Sequence, residues 1–492
     1  VFPWKCVSLN NQNRGKIMDG ILRKLPIGIQ TFEDIRRKNY LYVDKTALVW
    51  RMANLGKPYF LSRPRRFGKS LLLSTFESYF LGKKELFEGL AIEQMETEWT
   101  EHPVLHLDLN AEKYDKPEKL NDILSNHLTQ WELQYGKGLD EKTPSARFGG
   151  VIRRACEQTG HQVVVLVDEY DKPLLQAITN LELLEEYRQS LKAFYGVLKS
   201  TDRYLRFVFL TGVTKFSQVS VFSDLNQLND ISLDYSYATL CGITREELTA
   251  TFKPEIETFG RKNHQTPEEV VTAMERNYDG YHFHPDGDGV FNPFSVLNAF
   301  SKLELGNYWF QTGTPTFLIE LLQKSDYDLR TLLNGIEAPV SSFAEYRVDA
   351  NNPIPLIYQS GYLTIKDYDR EFQNYLLAFP NDEVRYGFIN FLVPFYTPMK
   401  NDQGFYIGKF VQDLRTGDYD SFLTRLEAFF GDIPYELNDQ TERHYQVIFY
   451  LVFKLMGQFT EAEVRSARGR ADAVVKTPKY IYVFEFKLNG TA

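Results

Sequence analysis

Residues 61–70 form a segment suited to binding phosphate. They read LSRPRRFGKS and lie between a short apolar run and a segment whose apolar residues recur at helical spacing. Backbone N–H groups at a helix start surround phosphate oxygens, while a lysine reaches the terminal phosphates and a hydroxyl binds Mg²⁺.

Gly68, Lys69 and Ser70 match the end of this phosphate-loop pattern, whereas Arg63 replaces its first glycine and Pro64 could fix the turn instead. We therefore expect ATP and Mg²⁺ here, with the nucleotide bound by Arg65, Arg66, Phe67, Gly68, Lys69, Ser70 and Leu71. The alternative is a basic loop that caps an ordinary helix.

Two carboxylates follow a continuous apolar strand. Residues 163–167 read VVVLV, and Asp168 and Glu169 come directly after them. A strand buried on both faces carries charge only where it emerges, and ligands bind at the carboxyl edge of such sheets. We predict that Asp168 holds Mg²⁺ together with Ser70, and that Glu169 polarises the water that attacks ATP. The alternative is a solvated acidic turn. This interpretation is the weaker one, because a phosphate-loop pattern lies upstream.

A further apolar run ends in a polar tip. Residues 207–211 read FVFLT and are followed by Gly212, Val213 and Thr214. We predict that Thr211 senses the terminal phosphate of the nucleotide. Thr214 in that role and a plain strand exit are the alternatives.

Near the end of the chain, an aspartate is followed by a Glu-x-Lys sequence. If residues 477–480 form a hairpin turn, Asp472 faces Glu485, and Lys487 lies on the same face as Glu485. Opposed carboxylates repel unless a cation lies between them, and Mg²⁺ takes oxygen ligands. Two metal-binding carboxylates and a lysine that orients or deprotonates water would support phosphodiester hydrolysis. The alternative is a solvated hairpin end that matches this pattern by chance.

Two flanking features belong to the same hypothesis. Glu442 lies in the first turn of a predicted helix over residues 441–456, where it either completes the metal site or interacts favourably with the helix dipole. Arg465, Arg468 and Arg470 supply the local positive charge that a phosphate backbone needs. Because the sequence ends five residues after Lys487, we expect this domain to be incomplete.

Composition narrows the class of protein. The chain has 492 residues, 43% of them hydrophobic, and a net charge of −9, so we expect a globular protein without a global basic surface. Any nucleic-acid contact, for which DNA is favoured, must use a local patch. The three cysteines are too few and too far apart for a disulfide framework, and no apolar stretch approaches the roughly 18 residues of a membrane span. We expect a cytoplasmic protein.

Alternating strand and helix patterns position these residues. The predicted buried strands are 59–62, 104–109, 163–167 and 207–211. With helices such as 117–132 and 181–200 between them, they predict a parallel α/β sheet. The helical patterns that follow are 244–259, 267–278, 293–303 and 316–323. We predict an N-terminal extension outside the fold (1–24), a P-loop domain (25–240), a helical lid or winged-helix-like region (241–345), a mixed connecting region (346–400) and a C-terminal α/β domain (401–492).

Several strings make the chain resemble a known family. Besides RPRRFGKS and VDEYD, they are residues 40–46 (YLYVDKT), 234–244 (DYSYATLCGIT), 278–281 (YDGY), 292–295 (NPFS) and 361–364 (GYLT). From about residue 25 to its end, the chain resembles bacterial AAA-ATPase-like proteins that carry a C-terminal PD-(D/E)XK nuclease-superfamily domain. The resemblance implies a P-loop NTPase sheet, a helical lid and a restriction-endonuclease-like domain. It also implies that Arg63 is the usual residue of this loop rather than a local loss.

These expectations combine into two candidate functions. In the first, Mg²⁺-dependent ATP hydrolysis drives or licenses nucleic-acid cleavage by the C-terminal domain. In the second, the chain is a nucleotide-dependent switch that binds nucleic acid or protein without cutting. Glu169 and the set of Asp472, Glu485 and Lys487 favour the first, whereas the acidic net charge and the early end of the chain favour the second. An oligomer is compatible with both.

Overall fold

A parallel sheet enclosed by helices forms the N-terminal part of the fold. The computed structural model describes residues 23–110, 112–215, 222, 227–312, 335–344, 353–396, 403–431, 442–457, 461–464 and 473–485. The strands of the sheet are β1 (Pro58–Ser62), β2 (Val104–Asp108), β3 (Val163–Asp168), β4 (Leu205–Gly212) and β5 (Asn229–Asp230). The helices around it are α1 (Phe32–Arg37), α2 (Thr46–Leu55), α3 (Lys69–Phe80), α4 (Glu118–Tyr135), α5 (Pro144–Thr159), α6 (Lys172–Gln176) and α7 (Leu181–Ser200). Short 3₁₀ turns lie at Lys84–Phe87, Ala91–Gln94 and Asp202–Tyr204.

Alternate side chains of each strand enter two different cores. In β1, Tyr59 and Leu61 join the core that contains the apolar residues of α3. Phe60 between them joins a second core with α4, α5 and α7. All six residues of β3 are buried, which explains why this strand is a continuous apolar run in the sequence. The predicted parallel α/β sheet is therefore confirmed.

The order of the strands brings the polar residues together. The order is β2-β3-β4-β1-β5, and every pairing in this sheet is parallel. The carboxyl ends of all five strands consequently lie at one edge. Because β4 lies between β1 and β3, Thr211 lies between the loop that follows β1 and Asp168 at the end of β3.

A helical region follows the sheet. Its helices are α8 (Arg245–Thr251), α9 (Lys253–Asn263), α10 (Pro267–Tyr278) and α11 (Pro293–Lys302), with 3₁₀ turns at Tyr235–Tyr237 and Phe310–Thr312. The bounds of α10 match the prediction, but the single helix predicted over 244–259 is wrong. The chain breaks at Phe252, because Pro254 lacks a backbone N–H and instead occupies the first turn of α9. The helix predicted at 316–323 lies outside the described residues.

The remaining elements form two small antiparallel sheets and several helices. The helices are α12 (Ser341–Ala344), α13 (Ile354–Gln359), α14 (Asp382–Tyr396), α15 (Gln403–Thr416), α16 (Tyr419–Gly431) and α17 (Glu442–Met456). The strands are β6 (Ile336–Pro339), β7 (Thr364–Asp369), β8 (Asn374–Ala378), β9 (Glu461–Val464), β10 (Ala473–Lys476) and β11 (Ile481–Phe484). The sheet orders are β6-β8-β7 and β11-β10-β9. The first of these sheets takes strands from both sides of residue 345, where the sequence predicts a domain boundary.

The C-terminal hairpin has the register predicted from the sequence. Ala473 pairs with Phe484 and Lys476 with Ile481. Thr477 closes the turn, since its backbone N–H donates to the carbonyl oxygen of Tyr480 at 2.8 Å. Ala473 is buried, and the ring of Phe484 lies 5.0 Å from that of Phe453 in α17. The hairpin therefore packs on α17 with the predicted pairing.

Candidate functional sites

The phosphate loop connects β1 to α3 and brings the first turn of α3 to a cleft. Gly68 precedes α3 with a φ of 92°, a left-handed conformation that glycine adopts without strain. A Cβ at Gly68 would meet nothing within 4 Å, so conformation rather than space requires the glycine. The ammonium of Lys69 donates to the carbonyl oxygens of Arg63 and Pro64 at 3.0 and 3.1 Å. Lys69 is thus held at the N-terminal end of α3, where the helix dipole favours anions.

The backbone of Arg63 does not need the glycine of the usual pattern. Within the loop, the residues with positive φ are Arg66, at 67°, and Gly68. The left-handed turn therefore lies at Arg66, and Arg63 keeps a conformation that any side chain tolerates.

The side chain of Arg63 supports the loop from below. Arg63 is 1% exposed, and its guanidinium lies 3.9 Å from the centre of the Phe283 ring. It donates hydrogen bonds to three backbone carbonyl oxygens, those of Ser62, Ser232 and Tyr237. Burial lowers the pKa of Arg63, because water no longer solvates its charge. Arg63 is therefore a structural residue that ties the loop to the segment after β5.

Asp168 is the polar centre of the site. The Ser70 hydroxyl donates to Asp168 Oδ2 at 2.5 Å, and the Thr211 hydroxyl donates to Asp168 Oδ1 at 2.8 Å. The sequence predicts these three residues from three separate motifs, and the structure places them in contact. A carboxylate and a hydroxyl are oxygen ligands of the kind that Mg²⁺ prefers, so Ser70 and Asp168 fit this ion.

Glu169 turns sharply away from the end of β3. Its φ is 52°, which is uncommon for a residue other than glycine, and its side chain lines the cleft. Burial raises the pKa of Glu169 despite the opposing charge of Lys69, and the carboxylate of Asp168 raises it further. A carboxyl group with a raised pKa holds a transferred proton better, which suits a general base.

Asp171 fixes the chain after β4 and was missed as a structural residue. Its carboxylate accepts hydrogen bonds from the backbone N–H groups of Val213 and Thr214 and from the Thr214 hydroxyl. Burial raises the pKa of Asp171, although these hydrogen bonds lower it. Nothing in the string VDEYD distinguishes an acid that binds backbone from one that binds a ligand.

The cleft above the loop has a volume of about 540 Å³. The predicted residues that line it are Arg65, Arg66, Gly68, Lys69, Ser70, Leu71 and Glu169. Asp168 and Thr211 are not among the lining residues, and because Thr211 is buried, its predicted contact with the terminal phosphate is not supported. Phe67 is a correction, because its side chain lies in the core, with the Tyr281 ring at 4.7 Å and the Phe283 ring at 5.6 Å. Two walls were missed by sequence reasoning, and they include Pro26, Gly28, Ile29, Phe294, Leu297 and Trp309. Phe294 and Leu297 lie in or next to the string NPFS, but an apolar residue there is equally expected in the protein interior.

Two residues from later in the chain contact the back of the loop. The indole N–H of Trp309 donates to the carbonyl oxygen of Arg65 at 3.0 Å. Gly361 packs so closely on Pro64 that an added Cβ would lie 2.6 Å from the Pro64 side chain. Next to Gly361, the ring of Tyr362 lies 5.3 Å from that of Trp309. The loop is therefore supported by residues far from it in sequence.

A buried carboxylate holds Trp309 in place. Glu383 Oε1 accepts from the backbone N–H of Trp309 at 2.7 Å, and Oε2 accepts from the Ser295 hydroxyl at 2.7 Å. Burial raises the pKa of Glu383 to about 7, although these hydrogen bonds lower it. No motif in the sequence marks Glu383 as important.

Replacing Glu383 by glutamine should stabilise the protein relative to the wild type, and the difference in stability should grow as pH rises. The pKa of Glu383 is raised from 4.5 to about 7 in the folded state, so between these values the folded state retains a proton that the unfolded state releases. Stability is therefore lost as pH rises through this window, by up to roughly 3 kcal/mol. Glutamine keeps the neutral hydrogen-bond pattern and has no charge to bury. Denaturant midpoints of Glu383→Gln and wild type should diverge, in favour of the variant, between pH 5 and pH 8. If the denaturant midpoints of the two proteins differ by the same amount at pH 5 and pH 8, the raised pKa of Glu383 is contradicted.

The C-terminal candidate residues are only partly described. Glu485 directly follows β11 and is exposed, and Glu442 is the first residue of α17. Asp472, Lys487 and the side chain of Glu442 lie outside the described part of the structure, as do Arg465, Arg468 and Arg470. The predicted pairing of Asp472 with Glu485 therefore stays a prediction.

The described residues contain neither a membrane-spanning helix nor a metal-binding cluster of His, Cys, Asp and Glu side chains. None of the described helices is both long and apolar enough to cross a membrane. Within the same residues, no group of three or more His, Cys, Asp or Glu side chains is arranged to hold a metal ion.

The fold and the site define a P-loop nucleotide-binding protein of the AAA-ATPase-like class with a nuclease-superfamily region at its C-terminal end. A family model described as "Predicted AAA-ATPase" matches residues 26–222, and one described as "PD-(D/E)XK nuclease superfamily" matches residues 440–492. A protein of Azotobacter chroococcum mcd 1, described as "Uncharacterized protein in vnfD 5'region", is 37% identical over 475 residues, which cover 95% of this chain and 89% of that protein. This chain belongs to the AAA-ATPase-like family with a C-terminal PD-(D/E)XK nuclease-superfamily domain, as the resemblance implied.

A solved structure was also matched. It is the Aeropyrum pernix ORC2 protein in ADPNP-ADP complexes, at 11% identity and a TM-score of 0.23, covering 74% of this chain and 92% of that chain. At this TM-score the likeness carries no argument. The fold class rests instead on the observed sheet and the family matches.

Proposed function

We propose that the chain binds Mg·ATP in the cleft and hydrolyses it. The observation that supports this proposal best is that Asp168 accepts hydrogen bonds from both Thr211 and Ser70, the residue that follows Lys69 in the phosphate loop. These four residues come from three separate elements, and a plain basic loop would not require such convergence. The cleft is also large enough for a nucleotide, since ligand pockets measure about 300–1,000 Å³.

Each residue has a role that follows from its position. Lys69 exchanges two backbone carbonyl oxygens for phosphate oxygens, which return a stronger charge-assisted hydrogen bond. Ser70 and Asp168 would hold Mg²⁺, which neutralises phosphate charge when bound. Glu169 accepts the proton of the attacking water, and Thr211 orients Asp168.

We further propose that the C-terminal domain cleaves nucleic acid, with DNA as the favoured substrate. Glu485 and Asp472 would bind the metal ion and Lys487 would orient or deprotonate the attacking water. Glu442 is the candidate for a third carboxylate. The support is the observed hairpin register and the family match over residues 440–492. A nucleotide-dependent switch that binds without cleaving is the alternative.

Lys69→Ala should weaken the binding of a fluorescent ATP analogue by roughly 10- to 100-fold, because a hydrogen bond to a charged group contributes about 1.5–3 kcal/mol. The measurement is an equilibrium titration with Mg²⁺ present. Lys84→Ala is the matched control, since Lys84 is exposed and lies outside the cleft. Unchanged affinity in Lys69→Ala, or no binding by the wild type, would refute the nucleotide site.

Glu485→Gln should reduce Mg²⁺-dependent cleavage of linear DNA by at least roughly tenfold, since even outer partners of metal ligands matter by 10- to 100-fold. ATP turnover of the same preparation should stay at the wild-type value. Glu427→Gln, at an exposed position of α16, is the control. If neither the wild type nor the control cleaves DNA, but the wild type binds DNA in a nucleotide-dependent way, the switch is favoured.

A further inference from the structure

Trp309 and the 361–362 segment, which support the phosphate loop, also contact α14. Trp309, which binds the Arg65 carbonyl, is held by Glu383 in the first turn of α14. Tyr362, next to the Gly361 that packs on Pro64, has its ring 5.2 Å from that of Phe388 in the middle of α14. Two contacts therefore lead from the loop to one helix.

Close packing makes these contacts stiff. A Cβ at Gly387 of α14 would lie 2.5 Å from the ring of Phe310, the residue after Trp309. There is therefore no free space beside α14 into which the 309–310 segment could move without displacing the helix. Interiors packed in this way transmit small displacements rather than deforming continuously.

The other side of α14 reaches the C-terminal domain. α14 contacts α17, and Val384 and Phe388 of α14 share one apolar core with Phe449 and Phe453 of α17. α17 in turn contacts β9, and the Phe453 ring lies 5.0 Å from the ring of Phe484, which directly precedes Glu485. The described residues thus form a continuous packed route from the phosphate loop to the nuclease-like hairpin.

We propose that α14 couples the nucleotide state of the phosphate loop to the C-terminal domain, with Trp309 and Glu383 as positioning residues. This inference rests on the proposed nucleotide site and names how that site regulates the second one. ATP binding draws Lys69 away from the carbonyl oxygens of Arg63 and Pro64, so the loop adjusts where Trp309 and Gly361 contact it. The adjustment passes through Glu383 and Phe388 to α14 and then to α17.

The chemistry of Glu383 provides a matched pair of variants. Glutamine still accepts from the Trp309 N–H and can donate to the Ser295 hydroxyl, so Glu383→Gln preserves the link. Alanine removes both hydrogen bonds, so Glu383→Ala breaks it. Trp309→Phe tests the next step independently, because it retains an aromatic ring but lacks the N–H that reaches Arg65.

The experiment is hydrogen exchange on the full chain, with and without Mg²⁺ and a non-hydrolysable ATP analogue at saturation. In the wild type, the analogue should slow exchange in residues 69–80 and change exchange in residues 442–457 by roughly fivefold or more, the lower range of allosteric coupling. Glu383→Ala should lose the change at 442–457 while residues 69–80 still respond. Trp309→Phe should lose the same change, and because Trp309 also lines the cleft, its analogue affinity is measured first and the exchange is compared at a concentration that saturates the variant. Glu383→Gln should behave as the wild type does.

The outcomes separate the inference from the function on which it rests. No response of residues 69–80 in the wild type would refute the nucleotide site, and the coupling with it. A response at 69–80 without one at 442–457 would leave the nucleotide site standing and overturn the coupling. If both Glu383→Ala and Trp309→Phe still change exchange at 442–457 as much as the wild type does, the two positioning roles are overturned. If Glu383→Ala does not fold, the comparison of Trp309→Phe with Glu383→Gln decides the same question.

Discussion

Glu169→Gln is expected to bind ATP with nearly wild-type affinity and to hydrolyse it about 10²- to 10⁴-fold more slowly, the range lost with a general base. Glutamine matches the shape of glutamate but cannot accept a proton from water. The left-handed φ of Glu169 turns the residue out of β3 and its side chain lines the cleft, so the substitution removes a function rather than a structural contact. Steady-state ATP turnover and analogue affinity, measured on the same preparation, test this expectation.

The pH profile gives a second readout of the same group. Because burial raises the pKa of Glu169, wild-type turnover should rise with pH through a value above that of an ordinary glutamate. Glu157→Gln on the exposed side of α5 should change neither the rate nor the profile. Turnover by Glu169→Gln within threefold of the wild type would show that another group takes the proton.

The convergence of Ser70, Asp168 and Thr211 could be predicted because it depends on few assumptions. Asp168 and Thr211 lie at the carboxyl ends of buried strands, and Ser70 lies in the first turn of the helix that follows a third strand. Parallel strands bring these ends to one edge. The hairpin register was predictable for a similar reason, since the turn position alone determines every pair. Both predictions needed local patterns and a simple topology.

The support of the loop could not be predicted in this way. Trp309 and Glu383 lie far from the loop in sequence, and an apolar or acidic residue in a helical region has no pattern that reveals its distant partner. Phe67 was misplaced for a related reason, because a motif states which residues form a loop and not where each side chain points. The helix break at Phe252 was missed because the apolar periodicity on either side outweighed the proline two residues later.

Arg63→Gly, which restores the glycine of the general phosphate-loop pattern, should destabilise this protein by about 3–5 kcal/mol. Three backbone carbonyl oxygens would lose their guanidinium donors, and each unsatisfied buried acceptor costs roughly 1–3 kcal/mol before relaxation. Glycine adds about 0.5–1 kcal/mol of backbone entropy, and the Phe283 ring loses its stacked partner. Relief of the desolvation that lowers the pKa of Arg63 offsets part of this sum. The measurement is the free energy of unfolding from denaturant titration.

Arg65→Gly separates this effect from a general intolerance of glycine in the loop. Arg65 is exposed and two residues away, so its replacement should cost only the entropic part, about 0.5–1 kcal/mol. Arg63→Lys should lie between the two, because an ammonium keeps the charge but lacks the planar fork that reaches several carbonyl oxygens at once. Equal losses in Arg63→Gly and Arg65→Gly would mean that the buried guanidinium contributes nothing to the fold. A larger loss in Arg63→Gly would show that this protein stabilises its phosphate loop with a buried arginine at the position where the general pattern has glycine.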